Sequence, residues 1–136
     1  MCSSHGGLRI DFPGGWAGDK VNLLTAEGRK GQNKELFDFS SRLFNWRKSK
    51  EVIHNGQTMH FMTRDNTYAY FRYNDTDAVF VYINNSAETK NIPWSNYAEI
   101  GSTLKEGRCV ITGKEAVVDN NTKVAPYSVI IVEYKR

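Results

Sequence analysis

NKELFDFSSRLFNWRKSK, Asn33 to Lys50, is the one long stretch of this chain with a helical period. Leu36, Phe39, Leu43 and Trp46 recur at steps of three, four and three, which is one face of a 3.6-residue repeat. Phe37 and Phe44 widen the stripe on one side. Arg42, Arg47, Lys48 and Lys50 load its second half with positive charge, which suits the negative end of a helix dipole. The spacing predicts a helix over about 33–49. It leaves open what the apolar stripe packs against.

Working outward toward the N-terminus, residues 1–31 hold seven of the eleven glycines, and no helical or strand period survives that density. The segment is too long for an ordinary connection in a compact domain. Leu8, Phe12 and Trp16 set it apart from a plain disordered linker.

On the other side of the helix the period changes to two. Val52-Ile53 and the Asn55-Gly56 turn dipeptide lead into Gln57 to Met62, a short strand with Met59 and Phe61 on one face. Asp65-Asn66 is a turn. Thr67 to Tyr73 (TYAYFRY) alternates Ala69, Phe71 and Tyr73 against Tyr68, Tyr70 and Arg72. Ala78 to Asn84 (AVFVYIN) is apolar on both faces, as a central strand covered on both sides would be. These three strands read as a meander. Later strands are expected at Glu88 to Ile92, Arg108 to Thr112, Glu115 to Val118, Lys123 to Ala125 and Tyr127 to Tyr134, while Ser95 to Ile100 is a helical turn or a loop. The expectation is a mainly β protein: a Greek-key-like antiparallel sandwich of about seven or eight strands, preceded by one helix and a Gly-rich segment.

Composition bounds the function. A chain of 136 residues with 40% hydrophobic and 24% charged residues is ordinary for one globular domain. Its 12% aromatic content favours β structure or a surface that stacks on flat ligands. Between Lys20 and Lys50 eight Lys or Arg face three acidic residues, so the net charge of +3 belongs to the helix and its approach. No basic run interleaved with aromatics appears, and nucleic-acid binding is not expected. No window approaches the ~18 apolar residues of a membrane span, and no signal-peptide pattern opens the chain. Cys2 and Cys109 match no metal or redox spacing, so no metal or cofactor is expected. Sequons occur at Asn74, Asn84 and Asn120 and matter only in a glycosylating host.

Nothing in the motifs points to catalysis. His5, His54 and His60 have no carboxylate or cysteine at ligand spacing. Asp75 and Asp77 form a carboxylate pair of the kind glycoside hydrolysis needs, but they sit in a four-residue turn where Asn and Asp are favoured for backbone reasons. Ligand binding is the other reading. Phe12 and Trp16 flank Pro13-Gly14-Gly15, a turn able to present aromatic rings to a sugar, with Arg9 and Asp11 as hydrogen-bonding groups; the alternative is that Trp16 tucks into the core. Trp94 in IPWSNY reads first as a core or loop anchor, and Tyr68, Tyr70 and Arg72 as sheet packing or, less readily, a platform.

GGLRIDFPGGW, a Gly-rich stretch, and a helix carrying RLFNWRKSKEVIHNG together resemble the end of the catalytic region in the alpha-amylase superfamily of glycoside hydrolases, in the neopullulanase, cyclomaltodextrinase and alpha-amylase group. In that family an R-x-D-F-P-G-G-W loop follows the eighth barrel strand, and the last barrel helix ends in a pattern matched here by Leu43, Trp46, Arg47 and Lys48. YAYFRY, VFVYINNS and PYSVIIVEY are similar to strands of its C-terminal β domain. The resemblance implies that residues 1–56 are the end of a catalytic barrel and 57–136 a C-terminal domain. It implies an α-glucan or malto-oligosaccharide substrate for the complete enzyme, and Arg9, Asp11 and Trp16 as substrate-binding residues. The compartment stays open, and the resemblance is compatible with a periplasmic or extracytoplasmic one. The family's catalytic carboxylates lie on earlier barrel strands whose motifs do not occur here, so no hydrolase activity is expected of this chain alone. The stripe Leu36, Phe39, Leu43 and Trp46, which faces the barrel in the family, is then expected to fold onto the β domain or to pair with a second copy.

Overall fold

The computed structural model describes residues 12–136. The chain divides into two units, Met1–Arg42 and Leu43–Arg136.

The first unit, as described, is a series of turns leading into the first half of helix α1 (Gly31–Lys48). Gly31 enters α1 at a φ of 52°, and Arg47 and Lys48 fill its last turn as the dipole argument requires. Lys34 and Asp38 make an i,i+4 ion pair on its surface. None of the residues of α1 is fully buried.

The second unit is built on a five-stranded antiparallel sheet in the order β1-β2-β3-β7-β5. Its strands are β1 (Gln57–His60), β2 (Thr67–Tyr73), β3 (Asp77–Asn84), β5 (Gly107–Cys109) and β7 (Ser128–Lys135). Strands β4 (Lys90–Asn91) and β6 (Lys123–Val124) pair as a separate two-stranded ribbon. The meander β1-β2-β3 is as the alternation predicted. A tight hairpin joins β1 to β2, with Asp65 and Asn66 at φ 49° and 59° and Thr67 N–H bonded to the Arg64 carbonyl at 2.7 Å. Positive φ at both central residues is the twist a two-residue hairpin needs. Strand β3 lies at the centre of the sheet, which explains its apolar residues on both faces.

Each face of the sheet carries its own layer. On one face Ala69, Phe71, Ala78, Phe80, Tyr82, Val132 and Tyr134 pack against Ile92, Tyr97, Ile100, Val118 and Val124. This second layer comprises the ribbon, a 3-10 turn at Trp94–Tyr97 and the short helix α3 (Ala98–Gly101). On the other face Val79, Val81 and Ile131 pack with Val52 of helix α2 (Glu51–Asn55) and with Leu43, Trp46, Ile53 and Tyr70. The result is sandwich-like and mainly β. Asn84 closes it: only 1% exposed, it donates from Nδ2 to the carbonyls of Glu88, Val124 and Ala125 and accepts from the Ser86 N–H and hydroxyl.

Four local expectations change. The Val52-Ile53 pair is part of a five-residue helix rather than a mere lead into a turn. Glu115 to Val118 makes only a single bridge, Arg108 to Glu115, because the chain leaves the edge of β5 after Ala116, whose N–H bonds to the Gly107 carbonyl. Strand β7 begins at Ser128, since Tyr127 sits at φ 49° and turns the chain while its N–H bonds to the Ser86 carbonyl. The helical stripe is also not buried along its whole length. Leu43 and Trp46 lie on the sheet, whereas Leu36 is 67% exposed.

Candidate functional site

The aromatic turn of the first unit is held by one carboxylate. Asp19 Oδ2 accepts the backbone N–H of Gly14 at 3.0 Å and of Trp16 at 3.2 Å. The Asp19 N–H returns a bond to the Trp16 carbonyl at 3.2 Å, and Leu23 N–H closes the loop on the Pro13 carbonyl at 2.9 Å. Gly14 is buried at φ 126°, where a side chain would be strained and a Cβ would collide with Asn22. The turn therefore presents Trp16, 77% exposed, beside exposed Phe12 and Leu24. Below it Arg29 donates to the carbonyls of Leu23 and Leu24 at 2.9 and 3.1 Å and lies 3.7 Å from the centre of the Phe37 ring. Of the predicted site residues, Trp16 is on the surface and not in a core. Arg9 and Asp11 lie outside the described residues. Asp19 and Arg29 escaped the sequence reading. An acidic residue five positions after the first glycine of a Pro-Gly-Gly turn was the available signal for Asp19.

The aromatics of the second unit divide sharply. Trp94 is partly buried and packs against the core, with its ring centroid 5.0 Å from Phe80, 6.2 Å from Phe71 and 6.2 Å from Tyr97. Arg72 is withdrawn from any platform: it donates to the Ile53 carbonyl at 2.6 Å and the Thr58 hydroxyl at 2.5 Å, tying α2 to the sheet. His60 takes its place beside Tyr68 and Tyr70. The three rings form a triangle with centroids 5.6–6.1 Å apart. The Tyr68 hydroxyl and His60 Nδ1 are hydrogen-bonded.

The carboxylates are occupied structurally. Lys135 and Thr76 bond to the Asp77 carboxylate, and those hydrogen bonds hold it below the usual range. Glu133 accepts from Trp46 Nε1 and Lys50 Nζ. Both acids border an open groove of about 1080 Å³ lined by charges of both signs. Among the described residues no group of His, Cys, Asp and Glu is arranged to hold a metal ion, and no helix is long and apolar enough to cross a membrane. Burial pushes the Tyr97 phenol up to about 12, with Tyr82 adding to it, so this hydroxyl stays neutral.

Residues 58–133 match the family described as the cyclo-malto-dextrinase C-terminal domain. The chain belongs to that family. The C-terminal domain fold is shared with much larger proteins. A variant of AmyP in complex with maltotriose superimposes with a TM-score of 0.63 at 18% identity, over 86% of this chain and 23% of that one. An Anoxybacillus alpha-amylase gives 0.59 at 16% identity, over 90% and 26%. The Bacillus licheniformis trehalose-6-phosphate hydrolase gives 0.57 at 17% identity, over 70% and 17%. These neighbours are glycoside hydrolases of the alpha-amylase family, and the chain spans about a quarter of their length or less.

Proposed function

We propose that this chain is the non-catalytic C-terminal portion of an alpha-amylase-like glycoside hydrolase acting on α-glucans, and that it stabilises the catalytic barrel of the complete enzyme. Residues 1–56 are the end of that barrel and residues 57–136 the C-terminal β domain. The observation that carries this reading is the uneven burial of α1. Leu43 and Trp46 are seated on the β domain, while Leu36 and Phe44, each 67% exposed, and Phe37 present large apolar side chains to solvent. Burying each contributes about 1.5–3 kcal/mol, so a covering surface is strongly favoured. In the complete enzyme Trp16, on the turn held by Asp19, stacks on a sugar, with Arg9 and Asp11 supplying hydrogen bonds to its hydroxyls.

Complementation tests this. A cyclomaltodextrinase barrel lacking its own C-terminal part is mixed with the chain and melted. The expected result is a raised barrel melting temperature with wild-type chain and none with the Leu36→Asp/Phe44→Asp variant. Equal protection by both overturns the stabilising role. The same apolar face suits a second copy of the chain, and sedimentation before mixing separates the two: a dimer lost on Leu36→Asp assigns the stripe to self-association. The isolated chain should release no reducing sugar from starch or maltodextrin.

A further inference from the structure

We infer that His60, Tyr68 and Tyr70 form a stacking platform for a malto-oligosaccharide on the sheet of the second unit. The β1–β2 register sets His60 directly opposite Tyr70, and Tyr68 stands two residues earlier on the same face. The His60 and Tyr68 rings are 15° from parallel with centroids 6.0 Å apart, and they are joined by the hydrogen bond between Nδ1 and the phenol. Near-parallel rings linked through an edge nitrogen and a hydroxyl lie side by side, so the pair makes one continuous flat surface. Tyr70 completes a triangle at its side, 5.6 Å from Tyr68 and 6.1 Å from His60, tilted from them by 34° and 39°.

Chemistry and shape select the occupant. A pyranose ring offers axial C–H groups on its flat face, and these carry the partial positive charge that the negative face of an aromatic ring attracts. An α-1,4-glucan curves along its length, whereas a β-1,4-glucan is straight. Rings in a line would suit the straight chain; three rings in a triangle make a compact patch, which suits the curved one. His60 is exposed, and Tyr68 and Tyr70 are half-buried. Burial holds the Tyr70 phenol up and Tyr68 adds to this, while Arg47 and Arg72 act in the opposite sense, which places the exposed Arg47 guanidinium within electrostatic reach of the rings. The guanidinium N–H groups of Arg47 can donate to sugar hydroxyls without demanding an anionic ligand. The choice of an α-glucan also rests on the function proposed above; the platform itself does not.

The test is a titration of the 136-residue chain with maltoheptaose and, separately, cellohexaose, followed by the aromatic C–H signals in two-dimensional NMR. Saturable shifts at His60, Tyr68 and Tyr70 with maltoheptaose are expected. Tyr68→Ala should weaken binding by about fivefold or more, the scale of one lost aromatic contact. Tyr68→Phe, which keeps the ring, should bind more tightly than Tyr68→Ala, and a thermal melt of each variant establishes that the fold is intact. Shifts confined to Phe12 and Trp16, or no shifts with either sugar, overturn the platform and leave the domain assignment standing. Binding of cellohexaose in place of maltoheptaose at these rings overturns the α-glucan assignment. Concentration-dependent shifts at the same residues without sugar assign the rings to a contact between copies and also overturn it.

Discussion

Trp46 Nε1 donates a hydrogen bond of 3.0 Å to the carboxylate of Glu133, a residue 87 positions further along the chain. Lys50 Nζ reaches the same oxygen at 2.6 Å. The end of α1 is thus latched to β7 by one indole, one ammonium and one acid, while Leu43 and Trp46 supply the apolar contact beneath.

This latch is pH-dependent. Burial pushes the Glu133 carboxyl up, but the hydrogen bonds from Lys50 and Trp46, with Arg108 nearby, outweigh it and hold the group below the ordinary Glu range. A folded-state value below the unfolded one gives a stabilisation that is fully present above the unfolded value and lost as pH falls through the folded one. Thermal melts between about pH 6 and pH 3 should therefore show wild type falling more steeply than Glu133→Gln. Trp46→Phe, which keeps the ring and removes the donor, should cost about 1–2 kcal/mol at neutral pH.

Asn84 joins the main sheet to the ribbon. Asn84→Ala takes the amide donor from the carbonyls of Glu88, Val124 and Ala125, of which Glu88 and Ala125 keep the Ser86 and Ser128 hydroxyls. Urea unfolding should show a loss of about 2–3 kcal/mol. Buried at 1% exposure, Asn84 should also stay unmodified in the folded chain in a glycosylating host, as mass spectrometry of peptides would read.

Gly107 is required by close packing. A Cβ there would fall against the Ala116 carbonyl oxygen and within 2.5 Å of Tyr134 Cε1. Gly107→Ala should destabilise by about 1–3 kcal/mol, the cost of overpacking, seen as a lower melting temperature. Gly18→Ala, where a Cβ meets nothing within 4 Å, serves as the comparison for strain at a positive φ alone.

Trp94 and Trp16 should separate in their response to substitution. Trp94→Ala opens a hole among Phe71, Phe80, Tyr97 and Tyr134 and should lower stability by about 3–5 kcal/mol. Trp16→Ala, with an exposed ring, should change it by less than about 0.5 kcal/mol. Chemical denaturation followed by circular dichroism reads both.

Much of this was legible in the chain. The bounds of β2 follow from its alternation, and the central place of β3 from its two apolar faces. The turn at Asp65-Asn66 follows from residues that tolerate positive φ. The weak second half was not legible, because β4 and β6 are two residues each and a two-residue strand has no period to read. The candidate surfaces were half legible. Trp16 and the Tyr68–Tyr70 pair stand out as aromatics in turns and on a sheet face. Asp19, Arg29 and His60 do not, since their roles depend on which backbone groups and rings come near them.

The sequence by itself determined the alternation of the strands, the helical stripe from Leu36 to Trp46 and the motifs shared with a family of α-glucan hydrolases. Those properties depend on neighbours a few positions apart, and chain geometry fixes them locally. Only the tertiary structure decided which part of the stripe is covered. Leu43 and Trp46 are seated because Val52, Val79, Val81 and Ile131 meet them and Glu133 answers the indole, whereas Leu36 and Phe44 stay exposed. It likewise withdrew Arg72 to α2 and set His60 beside Tyr68. Pairing of residues far apart in sequence follows from register and packing, which no single stretch of the chain contains.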